Sequence, residues 1–112
     1  MSQITTHILD TALGKPAAGV TILLFQKDKQ SWTQIASGTT NQDGRIVDLL
    51  PKEKLLSEGI YKMHFQTAQY HQQTQQSVFY PEVDIRFWVM GEAHYHIPLL
   101  LNPFGYSTYR GS

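Results

Sequence analysis

Apolar and polar residues alternate with a period of two along most of the chain. The alternating segments lie about ten residues apart, and glycine, proline, asparagine and aspartate cluster between several of them, at 14–16, 41–44 and 102–105. This spacing is typical of an all-β sandwich rather than of a helical protein. We therefore predict an all-β fold with strands at 4–10, 20–26, 32–39, 45–49, 60–67, 83–89, 95–101 and 106–110.

One segment departs from the alternation. Residues 51–59 begin with Pro51, continue with good helix formers and two adjacent leucines, and close with Gly59. Proline near the first helical position and glycine after the last one are typical helix boundaries. The sequence therefore predicts a single short helix at 51–59. The glutamine-rich stretch 72–76 predicts a solvated loop or a weak edge strand.

The composition of the chain limits the number of domains and excludes several kinds of binding partner and active-site chemistry. The chain has 112 residues, enough for one compact domain and too few for two, so we expect a single domain over 1–112. Nine basic and nine acidic side chains give a net charge of zero, which argues against nucleic-acid and anionic-membrane partners. The absence of cysteine excludes disulfides, thiolate nucleophiles and thiolate metal sites.

The first residues carry no targeting signal. No basic region followed by an apolar run is present there, and no later stretch approaches eighteen consecutive apolar residues. We therefore expect a cytoplasmic protein without a membrane span, although a mature chain whose leader had been removed would have the same sequence.

Two predicted strands are apolar on both faces. If the isoleucine-rich faces of 4–10 and 95–101 point inward, then Leu9, Pro98 and Leu100 point outward, next to His7 and His96. Outward apolar surface on a small domain favours assembly into a symmetric oligomer. Any site that contains His7 or His96 would then lie at a subunit interface.

The five histidines differ in their surroundings. His64 and His71 lie in polar contexts that favour ordinary packing or surface roles. His94 and His96 lie two residues apart, so both rings project from one side of a strand, and with His7 they form a ligand set suited to zinc. The spacing alone leaves both a metal site and a metal-free arrangement open.

A cation and a polar terminus complete the candidate chemistry. Arg45 follows Asp43 and Gly44 at the start of a strand, where a turn directs its guanidinium away from the sheet edge. A guanidinium is a permanent cation with forked donors, suited to anionic or carbonyl-rich ligands. Residues 109–112, Tyr-Arg-Gly-Ser, add a phenol, a second cation and a hydroxyl. Arg110 either neutralises the terminal carboxylate or docks the tail.

Segments spread over the whole chain carry a resemblance to a known family. They are 4–10 (Ile-Thr-Thr-His-Ile-Leu-Asp), 14–17 (Gly-Lys-Pro-Ala), 41–45 (Asn-Gln-Asp-Gly-Arg), 79–83 (Phe-Tyr-Pro-Glu-Val), 94–101 (His-Tyr-His-Ile-Pro-Leu-Leu-Leu) and 106–112 (Tyr-Ser-Thr-Tyr-Arg-Gly-Ser). With these segments the chain resembles the transthyretin-related 5-hydroxyisourate hydrolases, enzymes of urate breakdown. The terminal Tyr-Arg-Gly-Ser is the most specific marker.

The resemblance implies a fold, an assembly and a reaction. The fold is a transthyretin-like sandwich of two sheets with one short helix, and the assembly is a homotetramer whose central channel holds the active sites. The reaction is the hydrolytic opening of the six-membered ring of 5-hydroxyisourate to 2-oxo-4-hydroxy-4-carboxy-5-ureidoimidazoline, without a cofactor. His7, Arg45, His96 and residues 109–112 match the enzymes at every position compared.

Ring opening by water needs a base, an oxyanion donor and a proton for the leaving nitrogen. We interpret His7 and His96 as the proton-transfer pair and Arg45 as the group that holds the substrate oxygens. Tyr109 is expected to contact the flat ring of the substrate, and Ser112 to offer its hydroxyl or carboxylate to the water or to a histidine. We therefore expect His7, Arg45, His96 and Ser112 to be the catalytic residues, and His7, Arg45 and Tyr109 to bind the substrate.

Two other functions remain open on the sequence. One is a zinc hydrolase that uses His7, His94 and His96. The other is a transthyretin-like protein that binds a small ligand without turnover.

Overall fold

The computed structural model describes residues 2–111, which form nine strands and one helix. In chain order these are β1 (Ile4–Asp10), β2 (Lys15–Pro16), β3 (Thr21–Asp28), β4 (Ser31–Thr39), β5 (Arg45–Ile46), β6 (Gly59–Phe65), α1 (Thr67–Gln73), β7 (Val83–Val89), β8 (Tyr95–Asn102) and β9 (Gly105–Thr108).

The strands form two sheets. The first has the order β2-β1-β8-β9, with β5 also paired to β1, and the second has the order β4-β3-β6-β7. Strands β1 and β8 run parallel, whereas the other pairs are antiparallel. Since β1 and β8 are at opposite ends of the chain, their pairing brings the two termini into one sheet.

Alternate residues of both sheets fill the core between them. Ile4 and Ile8 of β1 are fully buried, as are Leu99 and Leu101 of β8. This confirms the prediction that the isoleucine-rich faces point inward. Each fully buried aliphatic side chain contributes about 1.5–3 kcal/mol relative to its exposed state. The second sheet contributes buried residues Ile22, Leu24, Tyr61, Met63 and Phe65.

The two-sheet sandwich predicted from the alternation is confirmed. The predicted strands at 4–10 and 83–89 coincide with β1 and β7, and most other boundaries differ by at most two residues. The exception is 45–49, because β5 ends at Ile46 and the chain then turns away from the sheet.

The prediction of a helix at 51–59 is wrong. This segment makes only a short turn, in which the N–H of Lys54 donates to the carbonyl of Pro51 over 3.0 Å. The N–H of Leu56 donates instead to Oε1 of Gln3, over 2.9 Å, and Leu56 is buried while Leu55 is half exposed. Tertiary contact with the residues before β1 therefore replaces the helical hydrogen bonds.

The helix of the structure lies at Thr67–Gln73. It includes the first two residues of the stretch 72–76, so the prediction of a loop or edge strand is wrong for these two. Tyr70 anchors this helix, since its Oη donates to Oδ2 of the buried Asp10 over 2.6 Å. The helix has seven residues, and within 2–111 no helix has the length and apolar character needed to cross a membrane.

Asp10 is a buried carboxylate held by four donors. It accepts hydrogen bonds from Tyr70, from Nε2 of Gln76 and from the N–H groups of Ala12 and Leu13. Burial alone would raise the pKa of Asp10, but these hydrogen bonds outweigh burial and lower it. The carboxylate thus ties β1 to the helix in its ionised form.

His71 should make the protein less stable in acid. It is fully buried, and neither ring nitrogen has a hydrogen-bond partner within the described residues. Burial lowers the pKa of His71 below its ordinary 6.5, and the Asp10 charge opposes this. The unfolded chain then binds a proton before the folded one, so the free energy of unfolding falls as pH drops below about 6.5.

We expect His71→Phe to reduce this pH dependence. Urea unfolding at pH 8 and pH 5 would measure it in the variant and in the unaltered protein. An unchanged difference between the two pH values would contradict the assignment to His71.

Candidate active site

His7 and Arg45 face each other across two strands. They are directly opposite in the antiparallel pairing of β1 and β5, so their Cβ atoms are about 4.5–5.5 Å apart. His7 is on the outward face of β1 and is partly exposed, and Arg45 is exposed. A titratable imidazole and a permanent cation thus meet on the open face of the first sheet.

The turn before β5 fixes the position of Arg45. Oδ1 of Asn41 accepts from the N–H groups of Asp43 and Arg45 over 2.9 and 3.0 Å. Gly44 has φ of 73°, and a Cβ there would lie 2.5 Å from the backbone oxygen of Ile8. Only glycine suits this backbone and this close approach to β1, so the turn sequence is what sets Arg45 beside His7.

His96 joins the same face from the other side of β1. It is the parallel partner of Thr5, and Pro98 is the partner of His7. Nδ1 of His96 lies 2.8 Å from Oγ1 of Thr5. The predicted residues His7, Arg45 and His96 therefore lie on one sheet face of one chain, and a second copy is not needed to bring them together.

The charges of this face act on both imidazoles. Burial lowers the pKa of His7, Arg45 lowers it further, and Asp43 acts in the opposite direction. Burial also lowers the pKa of His96, and Arg45, His94 and His7 add to this effect. Both shifts favour neutral rings near pH 7, the state in which an imidazole can accept a proton.

The C-terminal tail packs against His96. The N–H of Gly111 donates to the carbonyl of His96 over 2.9 Å, and a Cβ at Gly111 would lie only 2.5 Å from Cδ2 of the ring. The Arg110 guanidinium stacks over the ring of Tyr95, 4.6 Å from its centroid, which supports the docking role among the two predicted for Arg110. The predicted residue Ser112 lies outside the described residues.

A cleft of about 320 Å³ opens beside this tail. His96, Tyr109 and Arg110 contribute to its wall, together with residues of β7, whereas His7 and Arg45 are not among its lining residues. Tyr109 is 60% exposed, so its ring is free to contact a ligand. His96 is thus the one residue of the three predicted on the open face that also lines this cleft.

The three histidines that the spacing left open as a zinc set, His7, His94 and His96, are not among the side-chain groups within 2–111 that bring their ligating atoms together. Within 2–111, the group of three side chains whose ligating atoms lie within 4.8 Å of one another is His64, Glu82 and Asp84. That group is held by its own hydrogen bond, 2.6 Å between Nδ1 of His64 and Oδ1 of Asp84. Nε2 of His94 lies instead 2.9 Å from Oγ1 of Thr5.

Two supporting residues were missed from the sequence. Thr5 contacts His94 and His96, and Asn41 organises the Arg45 turn. Thr5 had a usable signal, because it lies two residues before His7 and shares its face in an alternating strand. Asn41 had only its position in a turn sequence.

Comparison with known proteins places these residues in a family. The sequence model described as "HIUase/Transthyretin family" matches residues 4–111. A 5-hydroxyisourate hydrolase of Salmonella dublin is 47% identical over 110 residues, which cover 97% of this chain and 80% of that protein. One of Mus musculus is 41% identical over 114 residues, covering 99% of this chain and 96% of that protein.

Solved structures agree with the fold. A sea bream transthyretin in complex with thyroxine is 32% identical with a TM-score of 0.91, covering 98% of this chain and 95% of that chain. A 5-hydroxyisourate hydrolase of Klebsiella pneumoniae is 33% identical with a TM-score of 0.85, covering 97% and 98%. Since the sequence model spans nearly the whole chain and the relatives match over similar lengths, the chain belongs to the HIUase/Transthyretin family.

Proposed function

We propose that this protein is a hydrolase that opens the six-membered ring of 5-hydroxyisourate to give 2-oxo-4-hydroxy-4-carboxy-5-ureidoimidazoline, a step of purine breakdown. The observation that carries the proposal is the shared face of His7, Arg45 and His96, on which each imidazole responds to the arginine charge. The relatives named as hydrolases, at 41–47% identity, support it further. Overall shape does not discriminate, because transthyretin and hydrolase structures both superimpose.

The reaction adds water to an amide-like carbonyl and breaks its bond to a ring nitrogen. One imidazole of the His7 and His96 pair takes a proton from water as the oxygen attacks carbon. The other orients the water or protonates the leaving nitrogen. A ring that is neutral near pH 7 accepts the proton from water, and the imidazolium that it becomes supplies the proton that reaches the leaving nitrogen, directly or through the other ring.

Arg45 stabilises the negative charge that develops on the carbonyl oxygen. Its guanidinium is a preformed donor beside His7, and such a donor is worth about 3–4 kcal/mol in the transition state of well-studied sites. Tyr109 contacts the flat ring of the substrate from the cleft, and Ser112 supplies its hydroxyl or carboxylate to the water or to a histidine.

We expect Arg45→Ala to lower kcat by about 10²- to 10³-fold. Arg45→Lys should restore only a minor part of this loss, because lysine keeps the charge without the fork of donors. The fold should be unaffected, since the side chain is exposed. Steady-state kinetics of both variants would test this. If Arg45→Lys is as active as the unaltered protein, the paired donors of the guanidinium have no role in the mechanism.

A homotetramer with sites at its subunit interfaces is part of the proposal. Several large apolar side chains are more than 60% exposed in the single chain, among them Phe79, Trp88 and Phe104. Leu9 and Leu100, partners on the outward face of the first sheet, are only partly buried. Apolar surface of this extent is typical of interfaces. Sedimentation equilibrium should give four times the mass of one single-domain chain, and a monomer would contradict the assembly.

The deciding experiment follows the ultraviolet absorbance of freshly generated 5-hydroxyisourate. The absorbance should decay faster with the protein than without it. A protein that binds a small ligand without turnover would leave the decay unchanged.

Treatment with a chelator separates the two hydrolase mechanisms. A metal-free enzyme should keep its activity after chelation and dialysis, whereas a zinc hydrolase should lose it. The cytoplasmic location stays a prediction from the sequence.

A further inference from the structure

A single hydroxyl joins two histidines next to the candidate active site. Oγ1 of Thr5 lies 2.8 Å from Nδ1 of His96 and 2.9 Å from Nε2 of His94. Thr5 is 4% exposed, so its hydroxyl has little access to solvent. The two rings lie nearly parallel, with an interplanar angle of 21° and centroids 6.4 Å apart.

The hydroxyl of Thr5 has one hydrogen to donate, so the protonation of one ring nitrogen depends on that of the other. A threonine hydroxyl donates one hydrogen bond and accepts others. Within residues 2–111 the hydroxyl of Thr5 has hydrogen bonds to these two ring nitrogens only, so its single hydrogen is donated to one of them. The other histidine then donates to Thr5, and Nδ1 of His96 and Nε2 of His94 hold opposite roles, one as the donor and the other as the acceptor.

Only one of the two arrangements leaves His96 able to act as a base. When Thr5 donates to His94, Nδ1 of His96 carries the proton and Nε2 keeps a free lone pair. When Thr5 donates to His96, Nε2 carries the proton of the neutral ring instead. The edge of the His96 ring formed by Cγ and Cδ2 packs on Gly111, so the tail contacts the ring itself.

We propose that Thr5 is a positioning residue which, with His94 as its acceptor, holds the Nδ1-protonated tautomer of His96 and leaves Nε2 free to take a proton from water. The inference rests on the proposed function for its kinetic consequence, but the tautomer itself is a property of the protein alone. When Nε2 takes the proton, the Nδ1–H bond to Thr5 and the Thr5 bond to His94 both persist. The proton transfer therefore needs no rearrangement of the hydroxyl.

The test uses Thr5→Val, which removes the hydroxyl at nearly constant shape, and Thr5→Ser, which retains it. Nitrogen NMR of histidine-labelled protein reports the tautomer of His96 without substrate. We expect protonated Nδ1 and free Nε2 in the unaltered protein and in Thr5→Ser, and a loss of this bias in Thr5→Val. In parallel, kcat of Thr5→Val should fall by about 10- to 100-fold, the loss typical of removing the hydrogen-bond partner that orients a metal-bound histidine. KM should change little.

His94→Leu gives a second test that leaves β1 untouched, because His94 is exposed. Without its acceptor, the Thr5 hydroxyl turns to His96, so the tautomer should shift toward protonated Nε2 and kcat should fall. An unchanged His96 tautomer in both Thr5→Val and His94→Leu would overturn the proposal even if hydrolysis is observed. If the unaltered protein does not hydrolyse 5-hydroxyisourate, the proposed function fails, whereas the NMR comparison still decides the role of Thr5.

Discussion

Replacing His96 with asparagine should lower kcat by about 10²- to 10⁴-fold, the range that acid and base catalysis contribute, and leave the fold intact. The asparagine side-chain amide can still reach Oγ1 of Thr5, which lies 2.8 Å from Nδ1 of the imidazole. What the variant loses is the second ring nitrogen and its ability to exchange a proton near pH 7. The absorbance assay measures the loss, and thermal unfolding verifies the fold.

His64→Asn is a matched control for this substitution. His64 lies on β6 in the other sheet and contacts Asp84 through its Nδ1. The control should turn over substrate as the unaltered protein does. Near-normal turnover in His96→Asn would instead remove His96 from the mechanism.

Deletion of residues 109–112 should abolish turnover at a small cost in stability. The deletion removes Tyr109 and Ser112, as well as the backbone contact of Gly111 with His96. The lost contacts described here are one hydrogen bond and the stacking of Arg110 on Tyr95, together worth about 1–2 kcal/mol. Activity and urea unfolding of the shortened chain would measure the two effects.

Gly111→Ala keeps the tail but changes its position against His96, so it tests whether correct placement of the tail is required for turnover. The added Cβ would lie 2.5 Å from the His96 ring, so the ring or the tail must move. Turnover should fall although every functional group is retained. If the deletion instead lowers the free energy of unfolding by much more than these contacts explain, the tail is structural.

The alternation of apolar residues was sufficient to predict the sandwich, but composition misplaced the helix. Residues 51–59 have the boundary residues of a helix, yet the N–H of Leu56 bonds to Gln3, before β1. The N–H of Leu50, just ahead of the segment, bonds in the same way to Ser2. At the observed helix, Gln66 makes no side-chain cap and the first turn holds no acidic residue. That helix is held through Tyr70 and Asp10, sixty positions apart, which local sequence cannot reveal.

The residues of the candidate site could be predicted from the sequence, but their spatial arrangement could not. His7, Arg45 and His96 were identified from their types and from the resemblance, whereas their common face depends on the pairing of β1 with both β5 and β8. Strand order between distant segments is not encoded in local alternation. The Thr5 contact follows from the register of β1 and β8, so it was visible only after the sheet was known.

The parallel pairing of β1 and β8 also affects how the protein folds. Ile4 pairs with Tyr95, so β1 leaves the ribosome about ninety residues before its partner strand emerges. Contacts between such distant segments slow folding. During synthesis the edge of β1 that pairs with β8 must therefore stay unpaired or be shielded by a chaperone, and the face that carries His7 and His96 cannot form before β8 has been translated.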